Sequence, residues 1–323
     1  MSNRTAVSQE ILNLAREFRS ALKPIVCASL ALEVILIAAL FPYHSEAPER
    51  ITFKPQASDQ KFYDQTYSEN EKELKYVEFA RAEAKAARVE DAVSRFVNDY
   101  HLENARVLDV GAGSGLLQDL VRDYTGLDIS ATARRYFHKP FVQGDARAMP
   151  FRVGEFDAAW SIWVLEHVPN PEMALAEMRR VIKPNGLLLF FPAFMVSPLA
   201  AEGYHVRPLR DFGVKGKLVK LSMPVRESPL FWVAYAFPIR AIRRATFALT
   251  GRPMSFHYWP LTPNYDRYWE ADSDAVNSLD RYETYLWFKS RGDVCLNCGN
   301  ELDTFPTYGS FLIFRVKPNP SPY

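Results

Sequence analysis

The segment Asp109-Val110-Gly111-Ala112-Gly113-Ser114-Gly115 constrains this chain most, because three glycines at alternate positions follow directly on the expected strand 106–110, with Val107, Leu108 and Val110 apolar. A strand that ends in such a loop turns sharply and brings bare backbone up to a ligand. The spacing is G-x-G-x-G. The dinucleotide fingerprint G-x-G-x-x-G requires glycine at 116, where this chain has Leu116. An acid two residues before the first glycine is also foreign to that fingerprint. It suits a cationic ligand, a sulfonium or an ammonium, better than a pyrophosphate. Nicotinamide oxidoreduction is disfavoured on both counts.

The loop opens an alternation of apolar runs and helical patterns. The expected elements are a strand at 106–110, a short helix from Leu116, strands at 124–128, 141–144 and 156–161, a helix at 171–182 and a strand at 187–191. Short apolar runs separated by helices argue for a parallel sheet covered on both faces. Asn170-Pro171 reads as a helix start, and 183–186 as its stop. Two further acids close successive strands, Asp128 in Gly126-Leu127-Asp128-Ile129-Ser130 and Asp145 in Gly144-Asp145-Ala146. The carboxyl ends of strands in an open sheet form the ligand crevice, so Asp109, Asp128 and Asp145 are expected to converge there. Asp128 would accept ribose hydroxyls, and Asp145 an adenine amino group. The competing reading is that each acid only caps a turn.

Taken together, VLDVGAGSG at 107–115, GLDIS at 126–130, GDARAMPF at 144–151 and the stretch 156–190 resemble the class I S-adenosylmethionine-dependent methyltransferases. The closest likeness is to their small-molecule branch, with a type 11-like domain. The resemblance resumes weakly at 280–316. It implies an α/β, Rossmann-like sheet of seven strands, mostly parallel with an antiparallel last strand, and S-adenosyl-L-methionine as cofactor. It further implies that Gly111, Gly113 and Gly115 shape the methionine pocket and that Asp109 lies near the cofactor amino group. Asp128 and Ile129 would meet the ribose, Asp145 and the Ala146 amide the adenine, and Ser161 the sulfonium. Tyr63 and Tyr67, in KFYDQTYSE, resemble an entry segment that closes over the cofactor. The implied reaction is in-line methyl transfer to a small-molecule, glycan or lipid-linked acceptor. The alternative is a non-catalytic, membrane-anchored binding or assembly module on the same fold.

A sulfonium methyl is already activated, so catalysis is mostly positioning. Orientation supplies about 7–11 kcal/mol, whereas a general base adds about 10²- to 10⁴-fold in rate. His167 follows the fourth strand in Leu165-Glu166-His167-Val168 and is the leading candidate base, with a pocket-wall role as the alternative. His205 and His257 lie in an insertion and are placed to enter the site from above.

That insertion carries local charge in a nearly neutral chain. The 323 residues have 39 Lys or Arg against 38 Asp or Glu, which excludes a global field for nucleic acid. Residues 193–260 nevertheless hold ten Lys or Arg against three acids. Within them, 229–249 mixes Phe231, Trp232, Tyr235 and Phe237 with an arginine cluster. This composition fits a lid packed on the core, a helix at a membrane interface, or a lid over an anionic substrate. The three cysteines form no disulfide framework, as in a reducing compartment, and Cys295-x-x-Cys298 is half of a zinc motif without a second half, so no metal is expected.

The run 25–41 is apolar except for Ser29 and Glu33, at the lower limit for a bilayer span. A docking helical arm, an interfacial helix and a true span are its three readings. The expected location is the cytoplasm, where the cofactor is made, with 25–41 available for membrane association. The expected organisation is an arm or anchor at 1–45, a helical entry segment at 46–104 with one helix over 71–100, a cofactor core at 105–192, a basic aromatic lid at 193–275 and a completion of the core at 276–317.

Overall fold

The computed structural model of the protein describes residues 55–68, 71–201, 203–264, 268, 270–299, 304–307 and 310–318, together with Cys27 and Ala31. The apolar run 25–41 therefore lies, but for those two positions, outside the described residues. Three helices lead in: α1 (Pro55–Thr66), α2 (Glu71–Ala86) and α3 (Val89–Asp99). The single helix expected over 71–100 is corrected to two. Arg88 sits in the left-handed region at φ 55°, which ends α2 and lets α3 bury Val89, Val93, Phe96 and Val97.

The strands β1 (Arg106–Val110), β2 (Asp123–Asp128), β3 (Phe141–Gln143), β4 (Phe156–Ile162) and β5 (Ile182–Phe191) follow, with α4 (Pro171–Val181) before β5. Further along the chain come β6 (Tyr258–Pro260), β7 (Asn277–Leu279), β8 (Val294–Cys295) and β9 (Leu312–Arg315). Seven strands form one sheet in the order β3-β2-β1-β4-β5-β9-β8. Its pairs are parallel except those made by β9, which runs antiparallel to both β5 and β8. This is the α/β arrangement that the resemblance implies. Side chains alternate between two cores: Leu188 and Phe190 of β5 face one, Leu187 and Leu189 the other. Because both faces are buried, the strands read as continuous apolar runs rather than as an alternation.

The helix expected from Leu116 is absent, and turns occupy 116–122. Only seven residues separate Gly115 from β2, too few for a helix and its return. The glycine loop therefore offers its own amides and not a helix terminus.

The insertion contributes α5 (Pro198–Ala201), α6 (Val214–Arg226), α7 (Pro229–Thr250) and the β6–β7 pair. Two arginines of α7 are engaged internally. Arg240 pairs with Asp280 at 2.7 Å, with both side chains 1% exposed, and Arg243 pairs with Glu283 at 2.8 Å. Asp280 also caps α8 (Arg281–Ser290), accepting from the amides of Tyr282 and Glu283 at 2.8 and 3.0 Å. These two guanidiniums are thus withdrawn from the anionic-substrate reading of the arginine cluster, because desolvated charge must be met inside the fold. A second correction concerns sulfur: Cys295 and Cys298 are joined in a disulfide, their Cα atoms 5.7 Å apart, so this pair is not a free metal half-site. No described helix is long and apolar enough to cross a membrane.

Candidate active site

The C-terminal edges of β1, β2 and β4 meet at the glycine loop. Gly111 and Gly113 adopt φ values of 75° and 51°, and their neighbours leave no room for a side chain. A Cβ at Gly111 would lie 2.2 Å from Val164 Cγ2, and one at Gly113 3.0 Å from the Tyr67 hydroxyl. The amides of Gly111 and Ala112 donate to the Leu127 carbonyl at 2.8 and 2.9 Å, tying the loop to β2. Gly113 donates to Asp128 Oδ2 at 2.9 Å, while Asp128 Oδ1 accepts from the Ser130 amide at 2.9 Å. One carboxylate therefore fixes the loop and the strand end together.

A cavity of about 360 Å³ opens beside the loop, lined by Tyr67, Asp109, Gly111, Gly113, Trp163 and His167 among others. Asp109 is buried and accepts from the Tyr124 hydroxyl at 2.8 Å. Burial pushes its pKa up to about 7 against that hydrogen bond. Burial likewise pushes Asp128 up to about 6 against its backbone donors. Both carboxyls thus gain from any cation that restores the solvation lost on burial.

Across the cavity, His167 sits among acids from distant parts of the chain. Its Nδ1 is 3.3 Å from Asp274 Oδ2, and its Nε2 is 4.0 Å from Glu166 Oε1. Asp274 also accepts from the Tyr63 hydroxyl at 2.8 Å. Burial opposes charge on the His167 ring, but Asp274, Glu166 and Asp272 overcome it and raise the pKa. Glu166, wholly buried, is pushed up to about 7 by burial, and Oε1 accepts from the Ala193 amide at 2.9 Å. Glu166, His167 and Asp272 bring one ligand-type atom each within 4.8 Å of one another. The cluster sets one imidazole among carboxyls from separate parts of the chain, and burial raises the pKa of two of them, Glu166 and Asp272.

The remaining expected residues are placed as follows. Gly115 lies in the loop at φ 66°, its position packed by Gln118 and Phe137. Ile129 is half-buried beyond β2, and Ser161 is buried in β4 with no hydrogen-bond partner for its Oγ. Asp145 makes a two-oxygen pair with Arg147, closest at 2.6 Å; burial raises its pKa, but the Arg147 side chain and amide hold it below the ordinary value. Ala146 packs half-buried on the core beside β3. His205 is held between Glu227 at 2.6 Å and Glu270 at 2.9 Å, and these acids raise its pKa through hydrogen bonds that outweigh burial. His257 lies edge-on to Trp259. Sequence reasoning missed Arg81, whose guanidinium donates to Ser114 Oγ at 3.1 Å on the cavity wall, and missed Asp272 and Asp274. Only tertiary folding carries these acids to His167. Glu166 was legible as the neighbour of His167 but was given no role.

Residues 108–190 match the family model described as a methyltransferase domain. They form a class I, S-adenosylmethionine-dependent methyltransferase domain. The demethylmenaquinone methyltransferase of Renibacterium salmoninarum is 42% identical over 94 residues, covering 26% of this chain and 39% of its own length. A ubiquinone biosynthesis O-methyltransferase of Dechloromonas aromatica is 38% identical over 102 residues, covering 26% of this chain and 43% of its own. A sterol 24-C-methyltransferase of Gibberella zeae is 38% identical over 189 residues, covering 52% and 46%. The chain thus spans less than half the length of these curated relatives.

The residues of the methyltransferase domain fit its cofactor, S-adenosyl-L-methionine. Gly111 and Gly113 present bare backbone at the cavity wall, and two buried carboxyls, Asp109 and Asp128, have raised pKa values that a cationic, hydroxyl-rich ligand would lower. The cavity lies within the size range of small-molecule sites, about 300–1,000 Å³.

Proposed function

We propose that the chain is an S-adenosylmethionine-dependent methyltransferase acting on a small-molecule acceptor. The supporting observation is that one cavity is lined both by the glycine loop with Asp109 and by His167 with Asp272 and Asp274. The bound cofactor supplies an electrophilic methyl group on a sulfonium sulfur. Asp128 and the loop hold the nucleoside end, and Asp109 meets the amino group. Asp145 and Ala146, just beyond β3, are assigned to the adenine, Ile129 to the ribose and Ser161 to the sulfonium. Tyr67 covers Gly113 and excludes water.

His167 faces the acceptor side. With Nδ1 toward Asp274, the ring offers Nε2 to an acceptor proton, and Asp274 stabilises the imidazolium that results. Tyr63 holds Asp274 in register for that role. The basic, aromatic insertion supports a lid over a glycan or lipid-linked acceptor. The quinones in two relatives' names fit an acceptor of apolar bulk. A panel of candidate acceptors with radiolabelled cofactor tests the reading. Labelled product that needs both His167 and Asp109 supports it; cofactor binding without turnover on any acceptor would leave a binding module instead.

A further inference from the structure

Helix α6 (Val214–Arg226) has an apolar face on each side. Gly216, Val219 and Met223 are buried, the last two in a small core with Leu199, Tyr204 and Phe212. Val214, Leu218, Leu221 and Val225 are 79, 63, 67 and 47% exposed. At about 100° per residue, that spacing gathers the four into a stripe about 60° wide, roughly opposite the buried trio. Lys215 and Lys217 are exposed and fall on the two flanks of the stripe. The helix carries four basic residues and no acid, within an insertion of ten basic and three acidic residues. A contiguous solvent-facing apolar stripe needs an occupant. Among the described residues the helix already packs on the core through its other face, and the stripe stays exposed.

We propose that α6 is a docking helix that lies flat on an anionic lipid surface. Val214, Leu218, Leu221 and Val225 enter the headgroup boundary, while Lys215 and Lys217 extend their stems along it and set their ammonium groups among lipid phosphates. The charge of the helix selects this occupant over a neutral surface. With only 13 residues, α6 lies on a bilayer and does not cross it. Docking places the insertion, and the cavity beside it, against the phase in which an apolar acceptor resides. The surface itself is independent of the methyl-transfer reading.

Cosedimentation of the full chain with vesicles tests the proposal, using phosphatidylcholine alone and phosphatidylcholine mixed with phosphatidylglycerol. Binding to the mixed vesicles is expected to weaken at least about tenfold in L218E/L221E. It should fall about fivefold per lysine in K215Q/K217Q, with most of the salt dependence lost. A charge-matched control, V153E/V294E, alters exposed valines outside the insertion and should bind as the wild type does. If the glutamates prevent folding, L218Q/L221Q makes the same comparison. Wild-type affinity in the stripe variants would overturn the proposal and assign binding to other segments. Equal binding to both vesicle types would also overturn it, as would a stripe that holds two copies of the chain together in sedimentation velocity. Cofactor binding by the same variants reports on the methyltransferase reading separately.

Discussion

Replacing Gly111 by alanine tests whether the loop is shaped by steric necessity. The φ of 75° costs a residue with a Cβ about 1–2 kcal/mol. The new methyl would also meet Val164 Cγ2 at 2.2 Å and Cγ1 at 2.6 Å, and such overpacking costs about 1–3 kcal/mol. The expected loss is therefore about 2–5 kcal/mol, read as a lowered urea midpoint at unchanged slope. G111A/V164A separates the two contributions. Removing the Val164 methyls relieves the contact but not the dihedral, so a double-mutant cycle should show a favourable coupling of about 1–3 kcal/mol, with G111A/V164A still less stable than V164A. A G111A variant within about 0.5 kcal/mol of wild type would refute the reasoning, since the loop would then have slack that the geometry denies. Strict additivity would place the cost in the backbone alone.

Arg240→Met should destabilise the fold by about 3–5 kcal/mol, because it strands the buried Asp280 carboxylate; thermal unfolding of the variant checks this. Stability should fall as pH rises from about 4 to about 7. Asp109, Glu166 and Glu283 keep protons in the folded state up to about 7 but release them near ordinary carboxyl values when unfolded, so the folded state binds more protons in that window; urea midpoints across pH measure the slope. Cofactor affinity should run the other way, strengthening through pH 6–7 with proton release as Asp109 and Asp128 ionise, visible as buffer-dependent heats in calorimetry. His167→Gln and Asp274→Asn should each lower kcat by about 10²- to 10⁴-fold while changing cofactor affinity little; steady-state kinetics on an identified acceptor, beside calorimetry, separates the two effects.

The sheet was legible wherever burial on both faces made strands mostly apolar, as in Leu187–Phe190 and in Val107–Val110 apart from Asp109. The cofactor side of the site was legible for a related reason: strand ends and glycines are local in sequence, and the sheet's topology brings them together. The acceptor side was not. Asp272 and Asp274 reach His167 from beyond the insertion, and no spacing rule predicts such an encounter. The burial of Arg240 was not legible, because its partner Asp280 is forty residues away and neither residue betrays burial by composition. The helix expected after the glycine loop failed on chain length, and the helix expected over 71–100 failed at one left-handed residue, Arg88. In α6 both faces are apolar, so periodicity alone left open which one is buried.

Calorimetric titration of S-adenosylmethionine into the full chain, beside Asp128→Asn, probes the cofactor site most directly. Saturable one-to-one binding is expected in the wild type, with loss of most of the affinity in Asp128→Asn at little change in thermal midpoint. The absence of binding to the wild type, or wild-type affinity in the variant, would contradict a cofactor held by the glycine loop and the carboxylate at the end of β2.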